Sequence, residues 1–290
     1  MASRRDDELR AAARIAVVAA TTVIASFVAS KAARDAILLS SFSIERLPLF
    51  VGISAALSLP VVLLAGRLFV RFAPDRLLPL LNLVSAVMLI GEWLLSQHHP
   101  DVAAVIVFLH LGSFGAVLVS GFWSIVNERF DVQSAKRYVG RIGVGATLGG
   151  ILGGLLAERT AVYLAPGAIL VVLAMLQATC AIVLRALTSE EPRRRPAEAA
   201  SLAPLASLRT IARTPLLRNL GIVVVLGAVG ASALDFVFKA EVVAASEGGT
   251  LRMFALYHLG TSVVTAVMQL ALAQPVLRSL GVARTVGTLQ

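Results

Sequence analysis

The sequence predicts an all-α polytopic membrane protein with about eight transmembrane helices. Three observations predict it. Of 290 residues, 58% are hydrophobic and only 15% charged, a balance outside that of soluble domains. The apolar residues gather in long runs near the length that crosses a bilayer, roughly 20 residues. The basic residues gather between alternate runs. Strands are not expected, because the runs are continuous and rich in Ala, Leu and Gly, whereas a membrane barrel shows short alternating segments.

The first span is 12–32. Its leader contains Asp6, Asp7 and Glu8, which dilute the positive charge of a signal peptide, and the apolar run exceeds a signal core. It reads as a retained helix. The next spans are 48–66, 77–96, 102–126, 141–157 and 161–185. A polar break covers 186–218, where Pro192 and Pro196 bracket Arg193, Arg194 and Arg195 and oppose helix. The part holding Leu208, Ile211 and Leu216 is mildly amphipathic and suits the membrane surface. Two further spans follow, 219–240 and 253–275. Residues 1–185 thus form a six-helix half, 186–218 a cytoplasmic linker, and 219–290 the start of a second half.

The net charge of +9 would suit nucleic acid, but its placement excludes that reading. With the N-terminus in the cytoplasm and eight alternating helices, 20 of the 26 basic residues fall on the cytoplasmic side. Lys31, Arg34, Arg46, Arg159, Lys239 and Arg252 remain opposite. This is the asymmetry of a multi-pass protein of an inner (plasma) membrane. The single cysteine, Cys180, permits no internal disulfide and reads as a small core residue. No nucleophile elbow, metal-ligand spacing or paired carboxylates stand out, so neither an enzyme nor a metal or cofactor is expected.

A weak internal repeat supports the division. A shift of 208 positions sets Lys31 on Lys239 and LAGRLFVRFAPDR (64–76) on LAQPVLRSLGVAR (272–284). Parallel repeats of six helices are a recurring transporter plan with the solute site between the halves, and a second half of equal length would end near about residue 395. Twelve helices are therefore expected of the complete plan, and this chain reads as a C-terminally incomplete one. A complete eight-helix protein is the alternative.

Two spans carry charges. Asp235 and Lys239 lie far along 219–240, four residues apart and hence on one helix face. Lys31, Arg34 and Asp35 lie on the distal part of the first helix. A charge within a bilayer costs about 2.5–3.5 kcal/mol on insertion scales, so both faces should look into a polar space. A second group is the segment RIGVGATLGGILGGLLA (141–157), with Gly145, Gly149, Gly150, Gly153 and Gly154. Small residues four apart let helices approach closely in lipid. No strand precedes these glycines and no lysine follows them, so a nucleotide-binding loop is not supported.

The glycine segment resembles the antiporter motif of the major facilitator superfamily, G-x-x-x-G-P-x-x-G-G. Gly145, Gly149, Gly153 and Gly154 match it, and Gly150 replaces the proline. GRLFVRFAPDR (66–76) loosely resembles that superfamily's basic loop through Gly66, Asp75 and Arg76, without the acidic residue that usually follows the glycine. Three stretches together resemble the nucleotide-transporter family of ATP/ADP exchangers. They are KAARDAILLSSFSIERLPLF (31–50), FWSIVNERFDVQSAKRYVGRIGVGATLGGILGG (122–154) and DFVFKAE (235–241). Arg34 and Asp35 before Leu47 and Pro48 match one motif; Asp235, Phe238 and Lys239 match the other. The resemblance implies a major-facilitator-type bundle that exchanges anionic nucleotides across the inner membrane.

Charge makes that implication intelligible. A nucleotide's phosphates need cations at mid-membrane. Lys31, Arg34 and Lys239 supply them, Arg as a bidentate fork and Lys as a point charge. Asp35 and Asp235 neutralise them in the empty site. Mutual neutralisation alone is the plainer account of the same residues. Glu92, beside Trp93, reads as an interfacial residue or a proton-coupling carboxylate. His110 and His258 read as helix-to-helix hydrogen bonds or relay members. His98, His99 and Asp101 read as an exposed loop. Glu128, Arg129, Asp131, Lys136, Arg137 and Arg141 form a dense cytoplasmic loop. The rival readings are another major-facilitator transporter, for a metabolite or drug, and a non-transporting anchor or sensor module.

Overall fold

The computed structural model describes residues 2–72, 74–130, 132–165, 167–188, 212–245 and 249–271, with side chains for all of these except 2–8, 70, 132–137, 188 and 270. Among the described residues there is no strand. Eight helices run α1 Ala2–Ser41, α2 Leu47–Arg71, α3 Pro74–Ser96, α4 Pro100–Arg129, α5 Val132–Tyr163, α6 Ala168–Thr188, α7 Pro215–Ala245 and α8 Thr250–Ala271, with a 3-10 turn at Ile44–Arg46 between α1 and α2. All eight are long and apolar enough to cross a membrane. Six start or stop near proline: α2 and α4 carry it in their first turn, where the missing N–H costs nothing. Pro60 and Pro79 lie inside α2 and α3, which membrane helices tolerate because neighbours satisfy the freed carbonyl.

Helix ends differ from the sequence spans in an instructive way. The first helix continues to Ser41, so Arg34 and Asp35 stand inside it. The fifth does not stop at residue 157; it continues to Tyr163, and the break falls at 164–167. Glu158 and Arg159 suggest a loop by composition, but the Pro166-Gly167 pair is the stronger breaker. The last two helices begin at Pro215 and Thr250, each a few residues early. The interior of the linker (189–211) and the repeat partner 272–284 lie outside the described residues, as do Asp131 and the side chains of Lys136 and Arg137.

α1 is the centre of the bundle and packs against α4, α5, α6 and α8. α3 packs on α4 and α6, α2 on α4, and α5 on α8. Its alanine-rich face, from Ala12 to Ala36, is almost wholly buried. Small side chains let other helices reach its backbone, which is how helices attract each other in lipid, where the hydrophobic effect between them is absent. The α1–α5 contact shows the device. Gly145, Gly149 and Gly153 lie against the carbonyls of Val17, Thr21 and Ala25, so both helices advance in steps of four. A Cβ on Gly149 or Gly153 would meet that backbone. The Thr21 hydroxyl donates across the seam to the Gly145 carbonyl at 3.0 Å. Gly150 and Gly154 face the other way, onto Ser262 and Leu259 of α8. One helix thus holds α1 and α8 on two glycine faces.

The buried apolar residues form two cores, one above the other. The proximal core, at the N-terminal end of α1, contains Ala16, Val23, Leu78, Leu118, Phe122, Cys180 and Leu184. The distal core contains Ala32, Leu38, Leu89, Val107, Phe108, Leu170 and Leu173. Between them four helices supply buried polar residues: Ser26 and Ser30 on α1, Asn82 and Ser85 on α3, His110 and Ser113 on α4, Gln177 on α6. α7 differs from the others. Its flank from Leu216 to Val237 is open, and only its distal part, with Lys239 and Val242, is buried.

The glycine seam generates a prediction. Gly149→Ala and Gly143→Ala both add the same methyl group and the same helix propensity. Gly143 has open space around its Cβ position and Gly149 meets the Thr21 backbone. Gly149→Ala should lower the melting temperature in micelles, an overpacking cost of about 1–3 kcal/mol. Gly143→Ala should leave it unchanged or raise it.

Candidate solute-binding site

The charged residues of α1 and α7 meet. Lys31, Arg34 and Asp35 occupy one face of α1, at spacings of three and four. The Lys239 ammonium is 3% exposed and lies 2.9 Å from Asp35 Oδ2 and 2.7 Å from Asp235 Oδ2. Arg34 Nε donates to the other Asp35 oxygen, Oδ1, at 3.0 Å. Asp35 is therefore shared between a guanidinium of its own helix and an ammonium from the second half. Asp235 is 52% exposed on its side chain, so the buried charge is centred on Asp35 and Lys239. Arg34 also lies over the Phe108 ring, 5.3 Å from its centroid. Gly112 lies beside it: a Cβ there would approach Arg34 Nη1 to 3.4 Å, an ordinary contact, and crowd Ser54 Oγ of α2 at 2.7 Å.

Lys31 is half-buried, 5.8 Å from the Phe27 centroid. It lies within electrostatic reach of Arg34, Asp35, Asp235 and Lys239. Among the described residues no carboxylate pairs with it directly. The local sum is three cations against two carboxylates, an excess that favours an anion. His258 of α8 faces the same group, within reach of Lys31, Asp35, Lys239 and Arg34. Phe238 completes the α7 contact by stacking on Tyr257 at 3.9 Å and meeting Phe254 edge-on at 6.0 Å. In the Asp-x-x-Phe-Lys segment, Phe238 thus docks α8 and Lys239 docks α1.

The depth of the cluster differs from expectation. Asp35 precedes the end of α1 by six residues, and Lys239 precedes the end of α7 by six. At about 1.5 Å per residue the cluster is nearer the distal helix ends than halfway along. A second pair at the same end joins the halves. Glu158 of α5 is 8% exposed on its side chain and forms ion pairs with Arg252 of α8 at 3.4 Å and with Arg159 at 3.4 Å. At the opposite end Thr147 donates to Gln269 at 2.6 Å. The α5–α8 seam therefore runs from an ion pair through the Gly154 and Gly150 contacts to a neutral hydrogen bond.

Glu92 is 4% exposed and accepts from His110 Nδ1 at 2.8 Å. His110 Nε2 lies 3.0 Å from the Ser85 hydroxyl. Glu92 is thus enclosed between α3 and α4, where the interfacial reading requires contact with water; its partner on a neighbouring helix, invisible in sequence, covers it. His98 and His99 are exposed in the α3–α4 connection, and no group of three metal-ligating side chains occurs among the described residues. Sequence reading missed Glu158 and Arg252, which look like loop charges, and the polar layer of Ser26, Asn82, Ser85 and Gln177, whose only signal is small polar residues recurring inside apolar runs.

No family model, no curated protein and no solved structure matches the chain. The site is therefore judged on its own geometry.

The pairing generates a prediction. Removing one partner of a buried ion pair leaves a lone charge and costs about 3–5 kcal/mol. Lys239→Ala takes the buried cation from Asp35 and leaves it to Arg34 alone, whereas Asp235→Ala removes a half-exposed partner. Thermal unfolding in micelles should rank Lys239→Ala well below Asp235→Ala. Equal melting temperatures would show that the Asp35–Lys239 contact contributes nothing.

Proposed function

We propose that the protein is a secondary-active transporter of major-facilitator type, in an inner membrane with its N-terminus cytoplasmic, which exchanges an anionic nucleotide by alternating access. One observation carries the reading: the buried ion pairs tie a helix of the first half to a helix of the second, 2.9 Å from Asp35 to Lys239. An anchor or sensor module has no need of ionised groups inside its helices, where each costs energy. A transporter has such a need, because its two halves must rock around a polar site.

The chemistry follows from exchangeable partners. In the empty protein Lys239 is held by two carboxylates and Arg34 by one. Phosphate oxygens accept from ammonium and guanidinium as carboxylates do, and Arg adds a bidentate fork. An entering phosphate chain takes over Lys31, Arg34 and Lys239 and frees Asp35 from Lys239. The tie between α1 and α7 is then replaced by ties through the solute. Without solute, separation would break the Asp35–Lys239 contact and leave each charge only its own-helix partner, Arg34 or Asp235, so the protein without solute resists reorientation more than the loaded one does. That asymmetry makes the protein an exchanger and not a leak. No covalent change occurs. Direction follows the solute gradients, since a ligand shifts a two-state equilibrium only by its differential affinity.

Vesicles containing the full-length protein test this. Labelled ATP or ADP should enter faster when unlabelled nucleotide is preloaded. Lys239→Ala and Arg34→Ala should lose this stimulation, and Gly143→Ala should keep it. Uptake of other metabolites with no nucleotide exchange would favour the other major-facilitator reading. No transport of any anion, or full exchange by Lys31→Ala, Arg34→Ala and Lys239→Ala alike, would overturn the proposal.

A further inference from the structure

The middle of the first half holds a second polar site that the charged cluster does not use. A small cavity, with room for about one water molecule, is lined by Ser26, Ser30, Asn82, Ser85 and Gln177 between Phe27 and Phe114. Ser26, Ser30 and Gln177 are 3%, 5% and 4% exposed, and the Ser26 and Ser30 hydroxyls and Gln177 Oε1 have no hydrogen-bond partner within the protein. Buried polar groups left unpaired cost about 1–3 kcal/mol each. Water bonded to two or more such groups removes the cost. The cavity wall is also one end of a chain of hydrogen bonds, Ser85 to His110 to Glu92. The far oxygen, Glu92 Oε2, is buried and unpartnered as well.

We propose that this layer is a hydrated proton-binding site, in which water in the cavity delivers one proton through Ser85 to the Glu92–His110 pair. Without that proton, His110 Nδ1–H donates to the Glu92 carboxylate, Ser85 donates to Nε2, and the pair carries one negative charge. That charge is enclosed by apolar side chains of the distal core, a costly arrangement. A proton arriving from a hydronium ion in the cavity bonds to Ser85 Oγ as the Ser85 proton passes to His110 Nε2. The ring is then an imidazolium, doubly donating, and the pair is neutral. Each bond formed is matched by one broken, and the hydronium returns to water. Ser85 now accepts from His110, so its own hydrogen turns into the cavity. Gln177 Oε1, directly or through water, is the acceptor that the turned hydroxyl meets.

The surrounding ionisable groups are few. α1 brings Arg34, placed over Phe108 of α4, and Lys31. α6 brings Cys180 on the cavity wall. α2 offers only Ser54 at Gly112, its charged residues Arg67 and Arg71 standing at its far end. The buried carboxylate that α1 brings, Asp35, is already held by Arg34 and Lys239, which leaves Glu92–His110 as the destination of the proton.

Infrared difference spectra of the full chain in lipid vesicles, taken between acidic and neutral pH, test the site without any solute. A failed transport assay therefore leaves it standing. The bands of the pair should disappear with Glu92→Gln; where that variant does not fold, Glu92→Asp should move them. After a pH jump, Ser85→Ala and Gln177→Leu should slow the rise of those bands, because the first cuts the chain and the second dries the cavity. A merely structural Glu–His contact would respond to neither. Bands that survive Glu92→Gln unchanged, or rise as fast in Ser85→Ala as in the parent, would overturn the proposal.

Discussion

A charge withdrawn from water must find its counter-charge, and in this protein that requirement fixes where the helices of the two halves touch. Lys239 sits on a helix whose flank is otherwise open. Its distal turns are buried because the ammonium reaches Asp35 and Phe238 reaches the α8 aromatics. Without the ion pair α7 keeps its aromatic contact to α8 and the packing of Phe236, Val242 and Val243 on the distal core. The same requirement explains the neighbours of Asp35. A lone carboxylate would be expensive, two cations make it affordable, and Arg34 spreads its own charge over Phe108. Asp35 and Lys239 each have two partners of opposite charge, so neither depends on a single contact.

The helix bundle is legible in the sequence because the bilayer imposes one dominant length and one dominant polarity on each span. Eight apolar runs and eight helices correspond, and the departures have local causes. The α5–α6 boundary follows Pro166-Gly167 and not the charged Glu158-Arg159, because a backbone breaker acts on every chain while a charge only asks for a partner. Arg252 is that partner, 94 positions along the chain (252 − 158) and on the helix packed against α5. The charged cluster is legible for the same reason that α7 is: Asp235 and Lys239 are conspicuous against apolar surroundings. Its geometry is not. Sequence sets Lys239 beside Asp235 at four residues; only the fold sets it against Asp35, and only the fold places the group near the helix ends.

The polar layer shows the opposite case. Ser26, Ser30, Ser85 and Gln177 are inconspicuous singly, because serine in a membrane helix commonly bonds its own backbone. Thr22, Ser58 and Thr160 do so here. Ser26 and Ser30 do not, and that difference in hydrogen bonding separates a structural hydroxyl from one that lines a site. It depends on what α3, α4 and α6 bring to the same level, which no single span records.

Depth separates the two polar groups by physical kind. Ionised residues linking the halves stand near the distal helix ends, where water is close and the cost of charge falls. Neutral hydrogen-bonding residues occupy the middle of the first half, where a net charge is least tolerable. The α5–α8 seam follows the same gradient, with Glu158–Arg252 at its distal end and only glycine contacts at Gly154 and Gly150 through its middle. Glycine contacts leave nothing to desolvate when helices slide, and an ion pair can be exchanged for water or a solute anion once the end opens. The α5–α8 seam thus sets its charged contact at the distal end and its small-residue contacts in the middle, where nothing polar has to be desolvated.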